Sequence, residues 1–441
     1  MKNIEEFSHI AKLLVNELSE ELNANSKSLF EIEEEIVSFI NRVGHLLLEK
    51  ILNNLEGPIK ENIIMVNGLK AVYKGNDNLR FKDRFGRYQV ISRRAYYIPK
   101  EKRSYYPVDE KLGMDKCTKS SPLMTYLMAL FGGCDPFGTA AKKLSAALGC
   151  KISGTSVQNN TEHTGKLLEH NPLNAIPQKK QSEVCDLMIA EVDGTMSPQI
   201  FNREEVTGRE SLKAPTEYKE CNVAVIEKRD NYGLVQDRWV GAHYGNRSSF
   251  STYAGNTAIK MGFLQAKQVV FIADGARHNW DIQQTNFPGS VGVLDFYHAM
   301  EHLAAFCEYF EDQKKGKEAY ERWKSMIYEG QILQVIDDMR NILYQKIANP
   351  SEAIKQINYF DNNKERMDYD IYRSKKYPIG SGLVEGQCKL VVGKRFKRNG
   401  MRWKKADNEA VLDVRLAILN NQLDSFFKPS PQEYSCASGF Y

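Results

Sequence analysis

Three acidic residues carry the sequence's clearest chemical signal. Asp193 follows the run Met188-Ile189-Ala190-Glu191-Val192 and precedes Gly194; Asp274 follows Val269-Val270-Phe271-Ile272-Ala273 and precedes Gly275. Glu385 lies in Ile379-Gly380-Ser381-Gly382-Leu383-Val384-Glu385-Gly386-Gln387-Cys388-Lys389, a glycine-rich lead into a helix. An Asp-Gly pair alone marks a turn. Here both aspartates close an apolar run of strand length, where an α/β sheet carries its functional groups. Three converging carboxylates repel unless a cation offsets them, and hard oxygen donors suit Mg²⁺ or Mn²⁺. Two such ions per site would activate an attacking oxygen and stabilise the leaving oxygen of a phosphodiester. A polyanionic substrate also needs bases, and Lys389, Lys394, Arg395, Lys397, Arg398, Arg402, Lys404 and Lys405 all follow Glu385 closely. Trp403 among them could stack on a nucleotide or anchor the last helix. On residues alone, three unrelated acids remain the alternative.

Charge placement sharpens this. The 441 residues carry 60 Lys+Arg and 56 Asp+Glu, a net +4. Residues 373–405 hold eleven bases and one acid, Glu385, a local +10, so the remaining 408 residues sum to −6. By that balance the rest of the surface does not bind a polyanion through charge alone. A charged fraction of 26% with 42% hydrophobic residues excludes wholesale disorder. No run is long and apolar enough for a membrane span, and the start has no signal-peptide core. Eight scattered Cys without a Cys-x-x-Cys pair suit a reducing cytosol and argue against a disulfide framework or a Cys-based zinc site.

The elements that must position these residues can be read by period. Residues 1–60 form a helical region: Ile4, Phe7, Ile10, Leu14 and Leu18 make one amphipathic stripe, and Ile32, Ile36, Phe39, Val43 and Leu47 another. Ser28 with Glu31 makes a capping box for the second, and Gly57-Pro58 ends it. Residues 61–115 form a small β-rich module with a turn at Asp83-Arg84-Phe85-Gly86. Within 116–172, a helix over 139–148 broken by Gly149, then a helix capped by Ser153 or Ser156 carrying Val157, Gln158, Asn159, Asn160 and His163, fits a helix-turn-helix or two packed core helices. Apolar runs at 184–192, 223–226, 232–240, 269–273 and 291–294, with helices over 248–264 and 296–310, give the order of a ribonuclease-H-like α/β core. That core is expected over 183–300 and 373–425, with an all-helical insertion over 301–372 and a frayed tail over 426–441.

Glu191-Val-Asp193-Gly-Thr, Ile272-Ala-Asp274-Gly-Ala, Asp295-Phe-Tyr-His298, the string ending in Glu385-Gly-Gln-Cys-Lys389, and Arg398-Asn-Gly-Met-Arg-Trp403 follow one another in this order. The series resembles the DDE transposases of bacterial insertion sequences, in the Kra group related to the Mutator elements. The resemblance implies that Asp193, Asp274 and Glu385 bind the metal ions and catalyse strand cleavage and strand transfer. It implies a helical insertion before the Glu, and places Asp295 and His298 near the active site. Lys389 and Tyr297 become candidate phosphate contacts, and Lys394, Arg395, Lys397, Arg398, Arg402 and Trp403 candidate DNA contacts. DNA partners would be the element's terminal repeats and its target, bound by a homodimer or higher oligomer at the bacterial nucleoid in the cytoplasm. Relatives often carry paired Cys in the β-module, whereas this chain has no Cys before Cys117, which argues against zinc there.

Two other readings stay open on sequence. A catalytically inactive derivative that still binds DNA would retain the same acids. His298-Ala-Met-Glu301-His302 also fits the His-x-x-Glu-His pattern of inverted zinc metallopeptidases, with both His on one helix face but no third ligand evident. His278 and Trp280, close after Asp274, line the site or pack the short helix there.

Overall fold

The computed structural model describes residues 27–54, 61–169, 185–200, 215–343, 347–398, 401–403 and 405–428, together with Lys12, Asn16 and Ser19. The expected first helical stripe, the Gly57-Pro58 stop, Lys404, the Lys405 side chain and most of the tail lie outside this description. The architecture is mixed α/β, with two sheets and many helices. It divides into two compact units, 1–167 with 423–441, and 168–422.

In the first unit, α1 (Leu29–Asn53) starts at the expected capping box: Ser28 Oγ accepts the Glu31 amide while Glu31 Oε2 accepts the Ser28 amide. A four-stranded antiparallel sheet follows in the order β1 (Ile63–Val66), β2 (Leu69–Lys82), β3 (Tyr88–Ile98) and β4 (Arg103–Tyr105). The β2–β3 turn is built on Asp83, fully buried, whose carboxylate accepts the Phe85 and Arg87 amides at 3.0 Å and faces His45 Nδ1 at 2.7 Å. The longer helices that follow the sheet are α2 (Pro122–Cys134), α3 (Phe137–Leu148) and α4 (Gly154–Glu169). Gly149 ends α3 in the left-handed conformation, φ 60°. Of the two candidate caps for α4, Ser153 acts: its Oγ accepts the Ser156 amide at 3.1 Å.

The second unit holds a five-stranded sheet in the order β7 (Val235–His243), β6 (Thr216–Arg229), β5 (Leu187–Ile200), β8 (Gln268–Ala273), β9 (Val291–Leu294). β5, β6 and β7 are antiparallel neighbours; β8 pairs parallel with β5, and β9 parallel with β8. Residues 223–226 of β6 and most of β8 read as continuous apolar runs because both faces are covered there. The crossovers run through α5 (Arg247–Lys260) and α6 (Arg277–Asn286). Helix α7 (Phe296–Glu308) follows β9, then α8 (Gln313–Tyr328), α9 (Ile332–Ile342) and α10 (Pro350–Asn363). These four share one hydrophobic core with the sheet, through Phe306, Trp323, Met339 and Phe360. The unit closes with α11 (Gly382–Gln387), a wider π-helical stretch over Cys388–Gly393, and α12 (Lys405–Leu419). Among the described residues no helix is long and apolar enough to cross a membrane.

One local expectation is corrected here. The apolar run stops at Asp193, but β5 continues to Ile200, because β6 keeps pairing with it as far as Ile200↔Thr216. What stops is the other ladder: β8 pairs with β5 only over Leu187↔Gln268 to Glu191↔Ile272. Asp193 therefore sits inside its strand, two residues past the end of the parallel pairing.

Candidate active site

The register fixes where the first two acids lie. Asp193 lies two residues past the last parallel pair, Glu191↔Ile272, in β5, Asp274 lies two residues past it and just beyond the end of β8, and the charge of Asp274 is felt at Asp193. Asp193 shares the face of β5 that carries Glu191, since side chains alternate with period two. Asp274 follows the last residue of β8 and is braced on both sides: its Oδ1 accepts the Ala276 amide at 3.0 Å and Asn279 Nδ2 at 2.8 Å, and its carbonyl accepts the Tyr359 hydroxyl at 2.9 Å.

Glu385 arrives from far along the chain, and two buried acidic side chains tie its loop down. Glu191 Oε2 accepts the Val384 amide at 2.8 Å. Asp295 Oδ1 caps α7 by accepting the Tyr297 and His298 amides at 2.6 and 3.1 Å, while its Oδ2 accepts the Ser381 amide at 2.8 Å and the Ser381 hydroxyl. The Phe296 amide adds a third tie by donating to the Ile379 carbonyl at 2.8 Å. The helix so anchored sets Cys388 Sγ 3.6 Å from Asp193 Oδ2 and leaves Glu385 exposed beside Lys389, 3.8 Å from Oε2 to Nζ.

The structure therefore brings Asp193, Asp274 and Glu385 to one end of the sheet. Burial raises the Asp193 carboxyl above the ordinary aspartate range, and the charges of Asp274 and Glu385 raise it further, against the Gly194 amide and Cys388. No group of three or more His, Cys, Asp or Glu among the described residues closes on one metal-sized point. In donor chemistry the three still fit a hard divalent cation: all are carboxylates, and the like charge felt at Asp193 is what such an ion relieves.

The basic segment divides. Lys389, Lys394, Lys397 and Arg398 are exposed, Arg402 is half-buried, and Lys397 Nζ donates to Thr195 Oγ1 at 2.5 Å, two residues past Asp193. Arg395 is 0% exposed and Trp403 7%; the guanidinium stands 4.7 Å from the indole centroid, and the indole Nε1 donates to the Phe396 carbonyl at 3.2 Å. The expectation that these two face DNA is corrected: both pack the interior that carries the exposed bases.

Asp295 is 1% exposed and acts as a brace, and His298, half-buried, pairs with Glu301 at 3.3 Å. Tyr297 is 67% exposed beside Gly380 of the Glu385 loop. His302 stacks on Tyr359 with ring centroids 3.6 Å apart, and its Nδ1 engages Gln356 at 2.7 Å. Its ring thus belongs to the wall behind Asp274, and no third zinc ligand joins His298 and His302 among the described residues. Trp280 is buried with its indole on Asn363, so it packs α6 against α10. Sequence reasoning gave no role to Glu191, Asn279, Ser381 or Tyr359. Glu191 and Ser381 lay inside the quoted motifs, and a lone acid within an apolar strand was a signal for Glu191; nothing local marked Tyr359.

A family described as uncharacterised, UPF0236, matches residues 22–210. No curated protein matches the chain. Among solved structures, the Drosophila P element transposase strand transfer complex aligns over 70% of this chain and 81% of that chain, at 9% identity and a TM-score of 0.29.

Proposed function

We propose that this chain is a DDE transposase that cuts and joins DNA with two divalent metal ions. The observation that carries the proposal is the convergence of Asp193, Asp274 and Glu385 on one end of a sheet. The strand order β7-β6-β5-β8-β9, with three antiparallel strands followed by two parallel ones, supports reading the second unit as a ribonuclease-H-like core with α8 to α10 as its helical insertion.

In this reading Asp193, Asp274 and Glu385 are the residues that would hold the ions. Bound there, Mg²⁺ or Mn²⁺ would supply activation of the attacking oxygen and stabilisation of the leaving one. The chain's own residues do the rest. Asn279 and Tyr359 fix the backbone and carboxylate of Asp274; Glu191, Asp295 and Ser381 hold the Glu385 loop; Lys389, Lys394, Lys397 and Arg398 hold phosphates without reading bases. The α3–turn–α4 pair is proposed as the helix-turn-helix that finds the element's terminal repeats, and pairing of two ends calls for a homodimer or higher oligomer.

A nicking and strand-transfer assay on DNA carrying the element ends tests this. Asp193→Ala, Asp274→Ala and Glu385→Gln should each lower Mg²⁺-dependent activity by a factor of roughly 10² or more. Wild-type activity in any one of them sinks the assignment of that residue.

A further inference from the structure

Apart from the bases around Glu385, a second basic surface lies in the first unit. Residues 63–105 carry eleven Lys and Arg against three acids, a local +8 hidden within the net −6 of the chain outside 373–405. One of those acids, Asp83, is fully buried and spent on the hairpin turn. Another, Asp77, is paired with Arg93.

The shape of this segment is as specific as its charge. β1 pairs with β2 only as far as Val72, and β4 meets β3 only from Tyr96. The stretch from Gly75↔Ala95 to Lys82↔Tyr88 is therefore a two-stranded ribbon with neither β1 nor β4 beside it, held at its far end where Lys82 bonds to residues 119–121. Its length is about 25 Å at strand rise. One face packs inward through Leu79, Phe81, Gln89 and Ile91. The other presents Asn78 opposite Ser92, and Arg80 opposite Val90, all exposed. Arg80 lies over the Tyr88 ring at 4.4 Å, and Arg84 and Arg87 stand exposed at the tip. None of these three arginines has a carboxylate partner among the described residues.

We propose that this ribbon is a duplex-DNA-binding surface, with Asn78, Arg80 and Ser92 facing base edges in a major groove and Arg84 and Arg87 on the flanking phosphates. A two-stranded β-ribbon fits the major groove, which is about 12 Å wide. Amide, hydroxyl and guanidinium groups are the side chains that bond base edges there. A duplex is favoured over a single strand because the exposed aromatic, Tyr88, already has Arg80 on its face and offers little room for base stacking. The tip also adjoins the turn between α3 and α4: Lys82 Nζ donates to the Lys151 carbonyl at 2.5 Å, and a Cβ on Gly86 would meet Cys150. The binding needs no metal and none of the carboxylates, so it would hold in a chain that never cuts DNA.

The test is fluorescence anisotropy of a labelled random-sequence duplex with the full-length protein, over a salt series. Arg80→Ser/Arg84→Ser/Arg87→Ser should weaken binding by roughly a hundredfold at 0.1 M salt and flatten the slope of log K on log salt by about two. The matching triple Arg→Lys variant should retain most of the binding, which separates lost charge from lost folding. Unchanged affinity and slope in the Ser variant overturns the proposal. So does a Ser variant that loses affinity only for a single-stranded oligonucleotide or for phosphatidylserine vesicles. Because binding alone is read, failure of the strand-transfer assay leaves this result standing, and the reverse also holds.

Discussion

Glu191 is 1% exposed, with Oε2 on the Val384 amide and Oε1 buried without a hydrogen-bond partner. Burial, above all, pushes its carboxyl up to about 8 from an ordinary 4.5, with Asp295 and Glu227 adding to the rise. Between those pH values the folded chain keeps a proton that the unfolded chain has lost, so the stabilisation is complete below about 4.5 and is lost as pH rises through about 8. Glu191→Gln should remove that loss. Unfolding measured at pH 5 and pH 8 should find the variant less pH-sensitive by up to about 1 kcal/mol per pH unit, and equal slopes would contradict the assignment. Asp295 makes a second prediction at this scale. Its carboxylate accepts three amides and a hydroxyl, so Asp295→Ala should cost about 3 kcal/mol in chemical denaturation, and a loss below about 1 would deny it the bracing role. The three proposed acids stood out in the sequence because apolar strands and a glycine-rich string flank them. The burial of Arg395 was not, because a dense run of Lys and Arg reads as solvated until Trp403 and Phe396 close over one of its members.

At the scale of elements, period identified most helices and strands but misjudged where β5 ends. A strand flanked by different neighbours can lose one ladder and keep the other, and the apolar run records only the doubly covered part. That difference moves Asp193 from the end of a strand into its interior. Tyr359 was invisible for a related reason: its role depends on α10 folding back onto the end of β8, a long-range contact with no local pattern. Packing of α2 on α4 is equally non-local and gives a prediction. A Cβ on Gly132 would stand 2.1 Å from Thr161 Oγ1 and 3.0 Å from Val157, both buried. Gly132→Ala should lower stability by about 1–3 kcal/mol. Thermal unfolding checks this, and an unchanged midpoint would mean that the two helices can separate at little cost.

Across the whole molecule, the near-neutral net charge conceals two basic segments, one around Glu385 and one on the β2–β3 ribbon. They lie in different compact units, and the sequence argument detected only the first, because subtracting it left an average that looked acidic. The central claim remains that residues 193, 274 and 385, separated by 81 and 111 positions in the chain, hold the same metal ions. Fe²⁺-directed cleavage of the polypeptide tests it most directly. With Fe²⁺ replacing Mg²⁺ and ascorbate present, locally formed radicals cut the backbone beside the metal's ligands, and mass spectrometry maps the cuts. The account predicts cuts near Asp193, Asp274 and Glu385 together, suppressed by excess Mg²⁺ and lost at all three places in Asp193→Ala. Cuts confined to other segments, or a pattern indifferent to Asp193→Ala, would contradict it.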